Sequence, residues 1–556
     1  MTAKIRVAGI VLSLLVLAGL ILLLARPRLD PARIQPIILV GAAWIVFGCA
    51  AWLVRKVAVR LAVALILAGG IAVQVVALTG PPQNSSDLYR YIWDGRVQAA
   101  GIDPYLYPPA DAGVAKLRND FLWSGTGAHR YVDCVPSRVN KIDPADSFVA
   151  GCTKLNRPRV PTVYPPVAEA YFFALQMAAP ADNSTTPVQA AAAAFAIAVT
   201  FILLFGLRKL GKDLRLVALW AWCPTVALEA GQNGHVDVVG VALAAVALFL
   251  LARAKTKGRT ILGGVLIGMA IATKVTPVLV VPAVLRRGWF LIPAAVVATI
   301  SLVYVPHVIA VGSKIIGFFP GYLNQEGYST GSGFSVIGLF VHGKVALLVA
   351  VVILGAIALA ILRFGNPDEP WHGGMLMTAA ALAVTTPDFQ WYAILLVMLV
   401  ALDGRPEWLM IAAGGYLANS PGLVVGGFAL HSHQERLLGY GGGAAIACAL
   451  ALVRYFLTRR AAMAAESGAA AEQAVAEVTG SDADSVADAA AVSGEALAAE
   501  PASGSAPTDV VEPTAIYPKS AVSVIIGVNG TPEFASDDDK ATSPDSAPGR
   551  FHRLIR

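Results

Sequence analysis

Charged residues are scarce in this chain. Asp, Glu, Lys and Arg make up only 14% of its 556 residues, whereas hydrophobic residues make up 56%, and the mean hydropathy is +0.66. This composition excludes an ordinary soluble globular protein, and apolar runs of about 18 residues or more predict membrane-spanning helices. The formal net charge of +6 does not indicate nucleic acid binding, because most Lys and Arg residues stand in short clusters between apolar runs.

Motifs for nucleotides and metals are also missing. There is no Walker loop, no Gly-x-Gly-x-x-Gly run before a helix and no pattern of four cysteines spaced for zinc. His431 and His433 indicate a metal only weakly, because neither cysteines nor a carboxylate cluster accompany them. The sequence therefore predicts neither a cofactor nor a metal centre. A nucleotide substrate would have to bind at the cytoplasmic face, where the loops between apolar segments are too small. A substrate carried by a lipid is therefore expected instead.

Cysteine is rare, with five residues in the whole chain. Cys49, Cys223 and Cys448 lie in apolar runs and are expected to be inert residues of the core. Cys134 and Cys152 lie in a polar loop, and we expect a disulfide between them if that loop faces an oxidising exterior. The alternative is two free thiols.

Apolar segments are what the chain has in abundance. Fourteen of them lie at 5–25, 35–54, 60–79, 187–207, 215–231, 236–252, 260–273, 275–286, 289–310, 344–363, 372–386, 390–402, 407–426 and 437–457. The first begins like a signal peptide, but its apolar core is too long and no clean small-residue cleavage site follows, so we predict an uncleaved helix. The pattern predicts an all-α polytopic membrane protein with about 12–14 membrane segments.

The basic clusters orient these segments. If the N-terminus is cytoplasmic, seven clusters fall on one side, as the positive-inside rule requires. They are Arg55/Lys56/Arg60, Arg208/Lys209/Lys212/Arg215, Arg253/Lys255/Lys257/Arg259, Arg286/Arg287, Arg363, Arg405 and Arg454/Arg459/Arg460. Arg26, Arg28 and Arg33 fall on the opposite side and disagree with this orientation.

Four polar stretches, two long loops and two turns, then lie on the outer face. They lie at 80–165, 231–235, 311–340 and 385–392, while the inner loops are short and basic. Because loops on a rigid scaffold are where function collects, the working face is predicted to be extracytoplasmic. Residues 461–556 are rich in Ala, Glu, Asp, Ser and Gly, which predicts a disordered cytoplasmic tail with short helices as an alternative in its Ala-rich part.

The stretch "QNSSDLYRYIWDGRVQAAGIDPYLYPP" at 83–109 mixes acids, bases and aromatics directly after an apolar segment. Asn84 followed by Asp87 predicts the start of a helix over 85–100, with Asp87, Arg90 and Asp94 on one face. We expect this helix to lie in the membrane interface, with its acidic edge facing a cavity. The alternatives are that Asp87 only complements the helix dipole and that Asp94 only pairs with Arg90.

Ionisable groups also stand within or beside apolar segments, where they are costly and usually functional. Glu229, His235 and Asp237 cluster in "EAGQNGHVD", for which a solvated turn is the alternative. Lys274 sits between 260–273 and 275–286, which we predict to be two half-helices that dip into the membrane and return. It is a candidate for holding a lipid phosphate, or else a lysine with a structural partner. Asp388, Trp391 and Tyr392 begin a further helix at the outer face.

Four of these stretches resemble a known family. "SSDLYRYIWDGRVQAAGIDPYLYPP", "LNRPRVPTVYPPVAEAYF", "EAGQNGHVD" and "GMAIATKVTPVLVVPAVLRR" are similar to bacterial integral-membrane GT-C glycosyltransferases. The nearest group is the glycosyltransferase family 87-like set, which includes actinobacterial polyprenyl-phosphate-mannose and related arabinose transferases. The resemblance covers residues 5–457 and implies that 1–460 form the transferase domain, with 80–165 as its external loop.

The resemblance also implies a mechanism. A polyprenyl-phosphate-sugar donor meets an acceptor at the outer leaflet, and an acidic residue early in the first large external loop acts as general base. On this chain that residue is Asp87. Related sequences often have two adjacent acids, and Ser86 replaces the first here, which argues against a mechanism that needs an acid pair or a metal bridge. The residues expected to bind substrate are Tyr89, Arg90, Tyr91, Asp94, Arg96, Glu229, His235, Asp237, Lys274, Asp388, Trp391 and Tyr392.

The hypothesis is therefore a multi-pass glycosyltransferase of the cell membrane that inverts the anomeric centre. Its partners are the lipid-linked donor, a cell-envelope glycan or glycolipid acceptor and membrane lipids, without nucleic acid. The expected sugar is mannose, with arabinofuranose as the alternative. A flippase or transporter of lipid-linked sugars is a second alternative, although no internal repeat is evident. A non-catalytic scaffold is a third, but it would not need clustered external carboxylates.

Overall fold

A computed structural model of the full chain describes residues 2–26, 35–83, 85–123, 153–180, 183–420, 424–425 and 428–492. Asn84, Cys134 and Cys152 lie outside the described residues. The predictions of the cap at Asn84 and of the disulfide therefore stay predictions. The chain divides into a unit of residues 1–468, which holds the membrane helices, and a unit of residues 469–556.

Helices dominate the described residues, as predicted. They are α1 (Ala3–Leu24), α2 (Gln35–Val54), α3 (Val59–Ala77), α4 (Asp87–Ala99), α5 (Pro166–Ala178), α6 (Thr186–Leu210), α7 (Ala218–Ala221), α8 (Asp237–Ala252), α9 (Lys257–Ile271), α10 (Val281–Val284), α11 (Leu291–Val311), α12 (Phe319–Gln325), α13 (Gly343–Phe364), α14 (Pro370–Thr385), α15 (Ile394–Asp403), α16 (Leu409–Ala418), α17 (Ser432–Arg436) and α18 (Gly442–Val492). Two short antiparallel strands, β1 (Val424–Val425) and β2 (Phe428–Ala429), pair with Val425 opposite Phe428.

Short 3₁₀ and π segments join several of these helices. The 3₁₀ segments are Ala112–Leu117, Leu214–Val217, Thr276–Val280, Leu285–Arg287, Gly312–Ile316, Ile337–Leu339, Gln390–Ala393 and Pro406–Trp408. The π-helical segments are Val226–Gln232 and Leu437–Gly441. The first π segment precedes α8 and makes an angle of 118° with it, so this apolar stretch is broken in the middle.

Seven helices in the described part of the chain are long and apolar enough to cross a membrane, or eight if the bent pair forms one span. This confirms the prediction of an all-α polytopic membrane protein. The full-length spans are fewer than the 12–14 apolar segments, because several segments form helices of only 10 to 16 residues, including α8, α14, α15 and α16. The break predicted at Lys274 is present, since α9 ends at Ile271 and the chain becomes helical again at Thr276.

The core lies around α8 and α15. All residues of α15 from Ile394 to Leu402 are buried, which suits a helix that is apolar on every side. Helix α8 packs between α9 and α6, and α9 also packs along α11. At the other end of the chain, α1 packs against α2 and α3. The polar residues just before α8, among them Glu229 and His235, are therefore buried in the interior.

Helix α4 differs from the predicted interfacial helix. It begins at Asp87, and nine of its 13 residues are buried, including the acidic Asp87 and Asp94. It packs along α5, and the two helices approach so closely at Gly95 that a Cβ there would lie 2.5 Å from the Phe172 carbonyl oxygen. The sequence pattern could not reveal that α5 covers α4, because α5 begins at Pro166, far along the chain from the end of α4 at Ala99.

Helix α18 continues past the predicted end of the transferase domain at residue 460. Its backbone stays helical through 461–492, where a disordered tail was expected, with short helices as the alternative. The segment is rich in alanine, the strongest helix former, which favours continuation of the helix. Residues 493–556 of the predicted tail lie outside the described residues.

We expect Gly414→Ala to destabilise the protein. A Cβ at Gly414 would lie 2.0 Å from the Gly439 carbonyl oxygen, where α16 meets the second π segment backbone to backbone. Overpacking of this kind costs about 1–3 kcal/mol, and it should lower the midpoint of thermal unfolding in detergent. The matched control is Gly355→Ala in α13, where a Cβ meets no atom within 4 Å. Equal midpoints for the two variants would contradict the close approach.

Candidate active site

Asp87 is the first residue of α4, which follows α3 after the short link between Ala77 and Asp87. Its backbone N–H donates to Ser85 Oγ at 3.1 Å, and the helix N-terminus favours its negative charge. Asn156 Nδ2 donates to Asp87 Oδ1 at 2.5 Å, while Oδ2 faces the Nδ1 of His235 at 4.0 Å. Ser86 precedes the helix as its N-cap residue.

His235 lies in the break between the first π segment and α8. Its ring stacks on Trp391, with 4.1 Å between ring centroids. Its Nε2 is 3.6 Å from Glu229 Oε2, so the imidazole lies between Asp87 on one side and Glu229 on the other. Neither ring nitrogen has a hydrogen-bond partner among the described residues. A buried imidazole without partners calls for an explanation, and proximity to a substrate is one.

Glu229 is fully buried and accepts hydrogen bonds at both oxygens. Gln390 Nε2 at 3.0 Å and Tyr416 OH at 2.9 Å donate to Oε1, and Asn233 Nδ2 donates to Oε2 at 3.0 Å. Asn233 Oδ1 also accepts from the backbone N–H of Gln83 at 3.0 Å. Glu229 therefore joins the π segment to α16 and to the 3₁₀ segment Gln390–Ala393 that leads into α15. Through Asn233 it also holds the chain just before α4.

Lys274 and Asp237 form an ion pair, with Nζ 3.2 Å from Oδ2 and with side-chain exposures of 14% and 4%. The ammonium lies between two aromatic rings, 5.4 Å from the Tyr164 centroid and 5.5 Å from the Tyr392 centroid. Tyr392 in turn meets the hydroxyl of Tyr322 in α12. The break after α9 thus places the Lys274 ammonium between two aromatic rings. Lys274 and Asp87 are both close enough to His235 to act on its imidazole electrostatically.

Arg90 and Asp94 belong to a second, separate network. Arg90 Nε donates to both Asp94 oxygens at 2.9 and 3.1 Å. Glu169 of α5 accepts from Thr162 Oγ1 at 2.6 Å and from Gln98 Nε2 at 2.9 Å. Burial raises the pKa of Asp94, and burial together with the charge of Asp94 raises the pKa of Glu169 well above its usual range. These two carboxyls share one buried cation, the guanidinium of Arg90.

This second network fixes the loop that reaches Asp87. The Arg90 guanidinium donates to the Val160 carbonyl oxygen at 3.2 Å and to that of Arg157 at 3.4 Å. Arg157 has a positive φ of 48°, which is uncommon for a residue with a long side chain. Asn156 directly precedes it, so the bonds from Arg90 hold the stretch that delivers Asn156 to Asp87.

The side chain of Arg157 extends the site toward α12. Its Nε donates to Gln325 Oε1 at 2.8 Å, and its Nη2 lies 3.4 Å from Glu326 Oε1. Burial raises the pKa of Glu326 to about 7; the negative charge of Asp388 adds to the rise, and Arg157 opposes it. Asp388 itself pairs with Arg436 at 3.1 Å.

The remaining predicted residues face other parts of the protein. Tyr91 stacks on Phe172, with 4.3 Å between centroids. Tyr89 packs near Phe121, with 6.1 Å between centroids. Arg96 donates to the Leu117 carbonyl oxygen at 3.2 Å. Tyr89 and Arg96 therefore hold the chain that follows α4, and Tyr91 packs against α5. The structure brings Asp87, Glu229, His235, Asp237, Lys274, Trp391 and Tyr392 together.

Several residues of the site were missed by the sequence reasoning. Asn156 lies in "LNRPRVPTVYPP", a stretch singled out only for its resemblance to a family. Arg157, Tyr322 and Glu326 also went unnamed, although Glu326 stands in one of the predicted outer loops. Their roles come from contacts between residues far apart in the chain, such as the 69 positions between Asp87 and Asn156, and no local spacing encodes such contacts.

A family model, glycosyltransferase family 87, matches residues 162–387. The matched region begins just before α5, ends just beyond α14, and contains Glu229, Asp237 and Lys274, whereas Asp87 precedes it. The predicted resemblance to this family is confirmed over these residues, and the match indicates a glycosyltransferase. No curated protein and no solved structure matches the chain.

The raised pKa of Glu326 predicts a pH-dependent stability. Its folded-state pKa of about 7 exceeds the ordinary 4.5, so the folded protein binds more protons than the unfolded chain between these values. This contribution is present below pH 4.5 and is lost as the pH rises to 7. We expect Glu326→Gln to reduce the fall in unfolding temperature between pH 5 and pH 8 by a few degrees, as measured by differential scanning fluorimetry.

The matched control for this titration is Glu466→Gln, which removes an exposed carboxylate from α18. It should leave the pH dependence of wild type unchanged. If Glu326→Gln retains the full wild-type slope, then Glu326 does not titrate in this window.

Proposed function

We propose that this chain is an integral-membrane glycosyltransferase that moves a sugar from a polyprenyl-phosphate donor to a hydroxyl group of a cell-envelope glycan or glycolipid. Mannose is the proposed sugar, on the basis of the family resemblance, and transfer inverts the anomeric centre. Asp87 acts as general base. The reaction takes place at the extracytoplasmic face, and the C-terminal tail lies in the cytoplasm.

One observation carries the choice of Asp87. Its side chain is 12% exposed, compared with 2% for Asp94, 4% for Asp237 and 0% for Glu229. In the part of the chain that the structure describes, Asp94 and Asp237 are each neutralised by a cation, whereas Asp87 has no Lys or Arg within ion-pair distance. A general base must reach the proton that it removes, and among these four acids Asp87 is the most accessible.

The neighbouring groups support the same reaction. In the proposed step the acceptor oxygen attacks the anomeric carbon, its proton passes to Asp87, and the bond between that carbon and the phosphate oxygen breaks. Lys274, which is 14% exposed beside Asp237, is placed to stabilise the negative charge that grows on the departing polyprenyl phosphate. Tyr392 is half-buried and offers a ring face against which a sugar can pack, whereas Trp391 is stacked between His235 and Phe389.

The decisive experiment measures transfer of labelled mannose from polyprenyl phosphate to a short oligosaccharide, with the full chain reconstituted in lipid vesicles. We expect Asp87→Asn to lower kcat by about 10²–10⁴-fold, the usual contribution of a general base. Asp111→Asn is the matched control, because Asp111 caps the 3₁₀ segment Ala112–Leu117 and Asn caps equally well.

The outcomes separate the candidate functions. Full activity of Asp87→Asn would refute the assignment of the base. Transfer from polyprenyl-phosphate-arabinose but not from the mannose donor would change the sugar while preserving the reaction. A wild-type protein that transfers nothing from either donor, yet moves the lipid between leaflets, would be a transporter and not a transferase.

Asn156 gives a second prediction. Its amide donates to the Asp87 carboxylate, and a hydrogen bond to a charged group contributes about 1.5–3 kcal/mol. We expect Asn156→Ala to lower kcat by about 10- to 100-fold with little change in the KM for the donor. Asn156→Asp should be more damaging, because it places a second negative charge against the base. An unchanged kcat in both variants would show that Asn156 does not orient Asp87.

A further inference from the structure

A pocket of about 480 Å³ lies far from the candidate active site, where several helices end. It is formed by the end of α6, the chain after α8, the link before α11 and the start of α14. Helix α8 runs from Asp237 at the active site to Ala252 at this pocket, and its 16 residues span about 24 Å. The pocket therefore opens at the opposite end of the helices that carry Asp237.

Positive charge is in excess in this pocket. Its lining contains four cations and two acids: Lys212, Arg253, Lys255, Arg287, Asp368 and Glu369. Lys212 pairs with Glu369 at 2.5 Å, and Arg287 pairs with Asp368. Among the described residues neither Arg253 nor Lys255 has a carboxylate partner, so two positive charges remain without a negative counterpart.

Hydrogen bonds and a buried ring join the elements that form the pocket. Arg287 Nη2 donates to the carbonyl oxygens of Ala252 at 2.8 Å and Pro367 at 2.9 Å, which joins the end of α8 to the loop before α14. Trp371 is fully buried, and the Lys212 ammonium lies 4.6 Å from its ring centroid. The two unmatched cations therefore stand at the rim of a pocket with a fixed aromatic wall.

Exposed aromatic residues flank the pocket on two sides. Trp289 and Phe290 follow Arg287 in the chain and are 68% and 77% exposed, and Phe364, before the loop at 365–369, is 78% exposed. Aromatic side chains of membrane proteins concentrate at the level of the lipid headgroups. Because these aromatic residues stand within a few positions of Arg287 and Asp368 in the chain, we expect the pocket and its two unmatched cations to lie at the depth of the lipid phosphates.

We propose that this pocket binds the headgroup of an anionic phospholipid that carries two phosphodiesters. The two phosphodiesters match the two unmatched cations in number and sign, and basic pockets between membrane helices are suited to such headgroups. Arg253 and Lys255 contact the phosphates, and the exposed aromatic residues lie along the glycerol and upper acyl chains. The site differs from the proposed transferase site in position and ligand, and it does not depend on sugar transfer.

The test uses the full chain in detergent, titrated with a lipid that has two phosphodiesters, with an anionic lipid that has one, with phosphatidylcholine and with inorganic phosphate. Native mass spectrometry reports the bound lipid, and apparent Kd values follow from the titration. We expect the lipid with two phosphodiesters to bind at least tenfold more tightly than phosphatidylcholine. Lys255→Gln and the double variant Arg253→Gln/Lys255→Gln should each weaken this binding, the double variant by about tenfold or more.

The matched control is Lys257→Gln/Arg259→Gln, which removes two cations of the same basic stretch that do not line the pocket. It should retain wild-type affinity. The single variant Lys255→Gln keeps the proposal testable if the double variant misfolds. Lys255 makes no described hydrogen bond, whereas Arg253 donates to the Lys209 carbonyl oxygen. Three results would overturn the proposal: equal binding of phosphatidylcholine, an equal loss in the control variant, or displacement of the lipid by equimolar inorganic phosphate.

Discussion

The buried carboxyl of Glu229 imposes the constraint on which the site depends. A carboxyl with no exposed surface, deep among apolar helices, must find its hydrogen-bond partners inside the protein, because neither water nor lipid can supply them. Gln390, Tyr416 and Asn233 provide them, and each comes from a different part of the chain. The arrangement of the first π segment, the start of α15 and α16 around this carboxyl also sets the position of His235, whose ring stacks on the neighbouring Trp391.

The site has a floor and a roof, and different contacts hold each of them in place. The floor consists of the first π segment with Glu229, the break after it with His235, and the break after α9 with Lys274. The roof is the loop that carries Asn156 and Arg157, and it is held by the buried Arg90. Asp87 lies between the two, which explains how a residue of α4 contacts both His235 and Asn156. Loops on a rigid scaffold commonly carry function in this way.

The sequence predicted elements more successfully than it predicted partners. Hydropathy predicted the membrane helices. Two short apolar segments that meet at Lys274 also predicted the helix break that is present there. The helix at Asp87 was also predicted, but its burial was not, because the covering helix α5 begins only at Pro166, far along the chain from the end of α4 at Ala99. Asp94 illustrates the limit: its spacing from Arg90 fitted both a substrate contact and an ion pair, and only the buried pairing observed at 2.9 Å favours the second.

The π segment at Val226–Gln232 constrains chain length as well as chemistry. In a π-helix one more residue is accommodated per hydrogen-bonded turn than in an α-helix, and here the Asn233 N–H reaches back to the Leu228 carbonyl oxygen. Loss of one residue would restore the α-helical repeat and rotate the preceding side chains by about 100° relative to those that follow. Glu229 and His235 would then no longer face each other. This stretch can therefore exchange apolar residues during evolution far more readily than it can gain or lose one.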